Sequence, residues 1–330
     1  MTGRPDGDPR CPVTLVTGFL GSGKTTLLAA LLARPALADS AVVINEFGEV
    51  AIDDALVGGR AGEVVRLESG CICCTARGGL EHALVDLARR RDAGTVPGFA
   101  RVLVETTGLA DPVPVVRALH ATAALAKRYR LAAVVVTVDA VTGFRRLDDA
   151  PEALRQVALA DRILVTKTDL ASADAGARLE ARLAAVNPGA ARHRVVKGRI
   201  DPEIVLAPAG VAALDAAIFD AAHNHGHDPD IATFTVDLGP PLPRAAFERW
   251  LDTLLAHRGE DLLRVKGAVA FAGEARPMLV NIAGGLLHPL EPLAGDVSAP
   301  ANLLVFITRR LPAAVIRGSL AVALDRLGAE

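Results

Sequence analysis

Short apolar runs alternate with segments of helical pattern along the first two hundred residues. The strand candidates are at residues 13–17, 41–45, 101–105, 131–138 and 162–166. The helix candidates between and after them are at residues 25–33, 78–91, 112–127, 151–160 and 171–186. This alternation predicts a doubly wound α/β domain with a mostly parallel sheet over residues 1–200.

The pattern changes after residue 200. Residues 201–230 contain three prolines and end in a polar run, which predicts a helix-bearing connector with a mobile His-containing loop. Strand candidates then follow at residues 231–237, 262–271, 278–282 and 302–308, with helix candidates at 242–257 and 313–327. These elements predict a smaller α+β domain over residues 231–330.

Composition excludes several classes of partner. The chain has 330 residues, 51% of them hydrophobic, and a formal net charge of −2. A near-neutral chain with few aromatic residues gives no electrostatic or stacking support for nucleic-acid binding. The apolar runs are too short to span a bilayer, and the polar N-terminal segment lacks the apolar core of a signal peptide. We therefore expect a cytoplasmic protein that binds neither membrane nor nucleic acid.

The segment GFLGSGKT at residues 18–25 fits the phosphate-binding pattern G-x-x-x-x-G-K-[ST] at every fixed position. Its glycines allow backbone N–H groups to surround phosphate oxygens, and the helix that follows directs its positive end at the same anion. A chance match in a Gly-rich turn would lack the strand before it and the helix after it. The candidate nucleotide ligands here are Gly18, Gly21, Ser22, Gly23, Lys24, Thr25 and Thr26, with Thr25 also a Mg²⁺ ligand and both Lys24 and Thr25 catalytic.

A second candidate element follows the apolar run at residues 102–104. Glu105 ends this run, and Gly108 follows three residues later. A carboxylate at the carboxyl end of a parallel strand lies beside the nucleotide crevice, so Glu105 is a candidate to hold Mg²⁺ or to position the attacking water. The N–H of Gly108 is a candidate sensor of the γ-phosphate. A strand end with an ordinary turn is the alternative.

The sequence Thr166-Lys167-Thr168-Asp169 resembles the guanine-reading motif of GTPases, which is usually Asn-Lys-x-Asp. An Asp carboxylate accepts both the ring N–H and the exocyclic amine protons of guanine, a donor pair that adenine lacks. The aliphatic stem of Lys167 can lie on the base. Thr166 replaces the usual Asn, and a strand followed by a helix cap is the alternative interpretation.

Three of the four cysteines, Cys71, Cys73 and Cys74, fall within four residues. Thiolates are soft ligands that suit Zn²⁺ or Cu⁺ far better than Mg²⁺. Structural zinc usually draws on two separated Cys pairs, and the sequence has no second pair. The cluster therefore favours transient metal binding, with a buried apolar set or a redox pair as the alternatives.

Two other groups are candidate metal ligands. Glu46 and Glu49 follow the phosphate loop, in an interval that responds to the γ-phosphate in P-loop GTPases, and could bind Mg²⁺ or complete the Cys site. A solvated turn explains them equally well. His223, His225 and His227 recur at every second position, and on an extended loop they would share one side. A solvated His loop is the alternative to a ligand set.

Taken together, these segments resemble the CobW-like family of P-loop GTPases, a group associated with metal delivery. The matching segments of the first domain are GFLGSGKTTLL at 18–28, NEFGEVAID at 45–53, GCICCT at 70–75, ETTGLADP at 105–112 and TKTDL at 166–170. In the second domain, DLLRVKG at 261–267 and LLVFITRRL at 303–311 resemble the C-terminal domain of the same family. The resemblance therefore covers most of the chain.

This resemblance implies a P-loop NTPase domain with a CobW-type C-terminal domain. It implies a GTPase that uses GTP and Mg²⁺, binds Zn²⁺ (or Co²⁺ or Fe) at the Cys motif, and delivers it to a client metalloprotein under GTP control. The residues that carry over are Gly21, Gly23, Lys24, Thr25, Glu105, Cys71, Cys73, Cys74, Lys167 and Asp169, and Glu46 and Glu49 match the NEFGE segment. The family's usual acid is missing before Leu80, a departure that bears on metal and client and leaves the nucleotide site intact.

Other functions are compatible with parts of this sequence. A P-loop kinase or ATPase with structural cysteines would use the same phosphate cradle but prefer ATP. A non-catalytic metal buffer would bind metal without turnover. Cobalt delivery in cobalamin biosynthesis is the alternative for the cargo, and a homodimer is a candidate assembly.

Overall fold

The computed structural model describes residues 8–44, 64–66, 77–120, 122–209, 230–293 and 302–325. The chain divides into two compact units. The first unit comprises Met1–Leu179 with Ala191–Ala209, and the second comprises Glu180–Ala190 with Gly210–Glu330.

The first unit is built on a parallel sheet. Its described strands are β1 (Cys11–Thr17), β2 (Ser40–Ile44), β3 (Val64–Arg66), β4 (Arg101–Glu105), β5 (Tyr129–Asp139), β6 (Arg162–Thr166) and β7 (Ala191–Val195). They lie in the order β3-β2-β4-β1-β5-β6-β7, and every pair is parallel. This non-sequential order confirms the predicted doubly wound P-loop NTPase fold.

Helices connect these strands. They are α1 (Lys24–Leu32), α2 (Arg77–Asp92), α3 (Pro112–Ala118), α4 (Ala123–Arg128), α5 (Gly143–Asp149), α6 (Pro151–Leu159), α7 (Ala173–Val186) and α8 (Pro202–Leu206), with a short 3₁₀ helix at Pro35–Leu37. The buried leucines of α1 pack with Val16, Val42 and Leu103 of the sheet. Helices cover both faces of a parallel sheet, so its strands are buried on both sides. Aliphatic side chains accordingly form this core.

The predicted single helix over residues 112–127 is wrong. The segment forms α3 and α4, and α4 is capped by Thr122, whose hydroxyl accepts a hydrogen bond from the Leu125 N–H at 3.3 Å. A Thr that caps a new helix competes with continuation of the preceding one. The pattern also did not predict β7, because this strand at the edge of the sheet exposes Arg192 and Arg194 and contains no apolar run.

The second unit is an antiparallel sheet with two longer helices. Its strands are β8 (Ile231–Asp237), β9 (Leu262–Val269), β10 (Met278–Ala283), β11 (Leu286–Leu287), β12 (Glu291–Pro292) and β13 (Leu303–Arg309), in the order β11-β10-β9-β13-β8 with β12 paired to β10. The helices are α9 (Arg244–Arg258) and α10 (Ala313–Asp325), and a 3₁₀ turn at Gly259–Asp261 follows α9. This unit confirms the predicted smaller α+β domain.

The core of the second unit contains a group of aromatic residues. Phe234 and Phe306 stack with ring centroids 5.6 Å apart, and Phe247 lies 5.6 Å from both Trp250 and Phe271. All five side chains are buried. Among the described helices of both units, none combines the length and the apolar character needed to cross a bilayer.

Candidate nucleotide site at the carboxyl edge of the parallel sheet

The predicted phosphate loop connects β1 to α1 and is shaped by its glycines. Gly18 has φ 143°, and a Cβ at this position would lie 2.4 Å from the carbonyl oxygen of Thr137 in β5. Gly23 has φ 94° and precedes the first residue of α1. The loop therefore requires glycine for close packing at one end and for a left-handed backbone at the other.

Lys24 places a positive charge at this loop. Its side chain is buried, and the ammonium donates hydrogen bonds to the carbonyl oxygens of Gly18 at 2.8 Å and Phe19 at 3.3 Å. Lys24 is also the first residue of α1, where the positive end of the helix dipole favours an anion. The loop is thus arranged to bind phosphate, as the sequence pattern predicts.

Thr25 and Glu105 meet beside the loop. The Thr25 hydroxyl donates to Oε1 of Glu105 at 3.0 Å, and Glu105 is fully buried at the end of β4. The contact forms because β1 and β4 are neighbours, with Val16 opposite Glu105 in the register. Hydroxyl and carboxylate oxygens are the hard donors that Mg²⁺ prefers, so this pair fits a Mg²⁺ site.

The loop after Glu105 lies against the phosphate loop. Thr106 donates from its hydroxyl to the Thr17 hydroxyl at 2.7 Å, which fixes the start of this loop to the end of β1. A Cβ on Gly108 would lie 2.6 Å from the backbone nitrogen of Leu20. The two backbones are therefore in close contact at Gly108, where a side chain would not fit.

The segment predicted to read guanine is hydrogen-bonded to the same loop. The Thr166 hydroxyl at the end of β6 donates to the carbonyl oxygen of Ser22 at 2.7 Å. The next residue, Lys167, has a left-handed backbone with φ 55°, and its ammonium donates to Oδ2 of Asp139 at 2.7 Å. Asp169 is exposed after this turn. Thr166, which stands where Asn is usual, thus connects the base-reading segment to the phosphate loop.

Two other predicted ligands have different surroundings. The Ser22 hydroxyl is buried and shares a hydrogen bond of 2.6 Å with the Thr137 hydroxyl, while its N–H donates to Phe19 O at 3.1 Å. Thr26 is exposed, and its carbonyl oxygen would lie 2.7 Å from a Cβ on Gly198. The Ser22 side chain therefore links the phosphate loop to β5 of the sheet.

Asp139 is a charged residue of this edge that the sequence argument did not select. Burial by itself raises the pKa of Asp139, but the Lys167 ammonium and the N–H groups of Val141 and Thr142 together hold that pKa below its usual range. The carboxylate therefore stays charged and holds the Lys167 side chain. Its signal was available, because Asp139 directly follows an apolar run just as Glu105 does.

The candidate metal ligands lie elsewhere in the chain. Cys71, Cys73, Cys74, Glu46, Glu49, His223, His225 and His227 are outside the described residues. Within the described ranges, no group of three or more His, Cys, Asp or Glu side chains is arranged to hold a metal ion. The fourth cysteine, Cys11, is buried in β1 and its thiol contacts the carbonyl oxygen of Ala100 at 3.6 Å.

Comparisons with known proteins agree with this geometry. The profile of the CobW/HypB/UreG nucleotide-binding domain matches residues 12–194, and the profile of the cobalamin synthesis protein cobW C-terminal domain matches residues 231–324. The chain is 36% identical to the zinc chaperone YjiA of Escherichia coli, with 94% of this chain and 97% of that protein covered. It is 31% identical to the zinc chaperone CobW of Pseudomonas aeruginosa, with 96% and 92% covered.

A solved structure extends the likeness to the fold. The zinc-bound YjiA GTPase of Escherichia coli superimposes with a TM-score of 0.70 at 35% identity, over 95% of this chain and 99% of that one. Both matched profiles, the relatives and the fold agree over nearly the whole length. The chain therefore belongs to the CobW/HypB/UreG family of nucleotide-binding proteins and carries the CobW type of C-terminal domain.

Proposed function

We propose that this protein is a GTP-hydrolysing metallochaperone. It binds zinc at the Cys-x-Cys-Cys motif of residues 71–74 and delivers the ion to a client metalloprotein under GTP control. The observation that carries the proposal is the hydrogen bond between Thr166 and Ser22, which joins a guanine-reading segment to a phosphate loop. The similar YjiA and CobW proteins, both zinc chaperones, support zinc as the cargo.

The hydrolytic part of the proposal uses three described side chains. Thr25 and Glu105 would hold Mg²⁺, which when bound neutralises charge on the β- and γ-phosphate oxygens. Lys24, which now donates to two loop carbonyls, would exchange these bonds for bonds to phosphate oxygens. Glu105 is placed to accept a hydrogen bond from the attacking water, since its carboxylate lies at the strand end beside the loop.

The base-reading part uses Lys167 and Asp169. The bond from Lys167 to Asp139 anchors the ammonium, so the aliphatic stem is left to cover the purine face. The exposed Asp169 carboxylate is available for the two donors of guanine. A kinase or ATPase would have no use for a carboxylate at this place.

Zinc is the cargo in this proposal, and its affinity must differ between nucleotide states. Three thiolates with an open fourth position favour a transferable ion over a permanent one. If GTP changes the affinity for zinc, then zinc must change the affinity for GTP by the same factor. Transfer to a client then follows from a weaker zinc site in one of the two states.

The test measures zinc affinity by chelator competition in GDP and in a non-hydrolysable GTP analogue. We expect the affinities to differ about tenfold, a typical coupling between two linked sites. Cys73→Ala should abolish the difference, whereas Cys11→Ala, the matched control in β1, should keep it. A wild-type zinc affinity that is the same in both nucleotides would refute GTP control.

The zinc-affinity experiment must distinguish zinc bound at the Cys motif of residues 71–74 from zinc bound elsewhere on the protein. A zinc-bound structure exists for a YjiA variant in which one glutamate and two cysteines are replaced by alanine, so zinc binds that protein without those side chains. Binding alone is therefore a weak readout, and the nucleotide dependence is the decisive one. Hydrolysis of GTP by the wild-type protein, measured alongside, tests the enzymatic part separately.

A further inference from the structure

Gln156 is a buried amide in α6, and the proposed function gives it no role. Its side chain is fully inaccessible to solvent. Its Nε2 donates hydrogen bonds to the carbonyl oxygens of Gly108 and Ala110, each at 3.1 Å. Carbonyl oxygens only accept hydrogen bonds, so the NH₂ group must face them and the orientation of the amide is determined.

These two bonds lie in the middle of the loop that follows Glu105. At its start, Thr106 is fixed to β1 through the Thr17 hydroxyl. At its end, Asp111 caps α3 and forms an ion pair with Arg155 of α6 at 3.4 Å. Between these ends, the Ala110 N–H donates to the Thr107 carbonyl oxygen at 3.1 Å, the bonds from Gln156 hold two carbonyls from one side, and Leu20 contacts Gly108 from the other.

Two buried polar atoms near the Gln156 amide have no hydrogen-bond partner within the described part of the chain. They are the Oε1 of Gln156 and the hydroxyl of Thr107. Gln156 also lines a small cavity with Phe19 and Leu20 of the phosphate loop. The Gln156 side chain thus reaches from α6 to the loop of Gly108 and to the phosphate loop. Burying its Oε1 without a hydrogen bond is unfavourable, and packing alone gives no reason for it.

We infer that Gln156 is a positioning residue for the GTP state. By holding the carbonyls of Gly108 and Ala110, it fixes the backbone that follows Gly108 and so limits the directions open to the Gly108 N–H, which in the proposed function faces the γ-phosphate. The inference rests on the proposed function, because it takes the γ-phosphate of GTP as the group that accepts a hydrogen bond from this N–H. GDP lacks the phosphate concerned, so its affinity should not depend on Gln156.

The experiment uses Gln156→Met, which keeps the size and removes the donor, and Leu154→Ala, a matched destabilising control on the same helix. Affinities for fluorescent GDP and for a fluorescent non-hydrolysable GTP analogue are measured together with the melting temperature. We expect Gln156→Met to weaken binding of the analogue about tenfold, within the usual range of coupling between two sites, and to leave GDP affinity unchanged. Leu154→Ala should keep the ratio of the two affinities.

A structural role alone would give a different result. Gln156→Met would then lower the melting temperature and leave the ratio of the two affinities at its wild-type value, which overturns the inference. Failure of the proposed function is distinguishable, because the wild-type protein itself would then fail to bind or hydrolyse GTP.

Discussion

The two units of the chain bury their polar side chains in different places. In the first unit, six of the buried polar residues lie at or near the carboxyl ends of neighbouring strands: Thr17, Glu105, Thr106, Thr137, Asp139 and Thr166. In the second unit, Arg264, Lys266 and Asn281 are buried within the strands β9 and β10. A row of polar groups along one sheet edge is what a ligand site requires, and the second unit shows no such edge among its described residues.

The hydrophobic cores of the two units also differ in composition. Four Phe side chains and the only Trp of the chain lie in the core of the second unit, whereas Val, Leu and Ala fill most of the core of the first. Large aromatic side chains contribute much stability per residue. The comparison predicts that changes in the second unit act on stability, and changes at the edge of the first act on nucleotide chemistry.

The largest expected effect is on stability. Phe247→Ala should lower the free energy of unfolding of the second unit by about 3–5 kcal/mol, because Phe247 is fully buried among Trp250 and Phe271. Urea unfolding followed by the fluorescence of Trp250 measures this change. GDP affinity should stay at the wild-type value, and a parallel loss of GDP binding would contradict the separation of roles.

Lys24→Met tests the other side of the comparison. Removing the ammonium from the phosphate loop should lower the rate of GTP hydrolysis about 10²–10³-fold, since a preorganised positive group stabilises the transition state. The Trp250 unfolding curve serves as the control and should not move. Hydrolysis at the wild-type rate would show that the loop is not catalytic.

Asp169→Asn should change which base is accepted. Loss of charge-assisted hydrogen bonds weakens GTP binding by about 1.5–3 kcal/mol, and the amide should favour xanthine nucleotides instead. Competition among GTP, ATP and xanthosine triphosphate gives the readout. Asp174→Asn, at an exposed acid of α7, is the control. Unchanged base preference would support an ATPase or kinase.

The smallest predicted effect depends on pH. Because the folded pKa of Asp139 is lowered, its pair with Lys167 stabilises the fold fully above the unfolded pKa of about 3.9 and loses this contribution as the pH falls through the folded value. Asp139→Asn should therefore be about 0.5–1 kcal/mol less stable at pH 7, with a smaller difference in acid. Urea unfolding at pH 7 and pH 3 tests this, and a difference independent of pH would contradict it.

Local pattern was enough to predict both folds. The apolar runs fall on β1, β2, β4, β5 and β6, and the glycines of residues 18–23 adopt the backbone that their spacing indicates. Helix breaks were harder to predict, because the cap at Thr122 interrupts an otherwise continuous helical pattern. Strand β7 was missed since a charged strand at the edge of a sheet gives no periodic apolar signal.

Contacts between distant segments could not be read from the sequence. Gln156 bonds to carbonyls 46 and 48 positions away, and backbone carbonyls carry no sequence signature at all. The pairing of Lys167 with Asp139 depends on β5 and β6 being neighbours, which the order of strands along the chain does not state. Thr166 departs from the usual Asn of the motif, and its hydrogen bond to the Ser22 carbonyl oxygen is a contact that the sequence does not indicate.

The bonds that shape the phosphate loop also govern when it can form. Ser22 bonds to Thr137, 115 positions later, and to Thr166, 144 positions later. Contacts of such long range form slowly, because the intervening chain must first be closed into a loop. A nascent chain that ends before β5 would carry the whole G-x-x-x-x-G-K-[ST] motif without either of these two partners. The nucleotide would thus bind only late in folding, and it would stabilise only the chain whose sheet is complete.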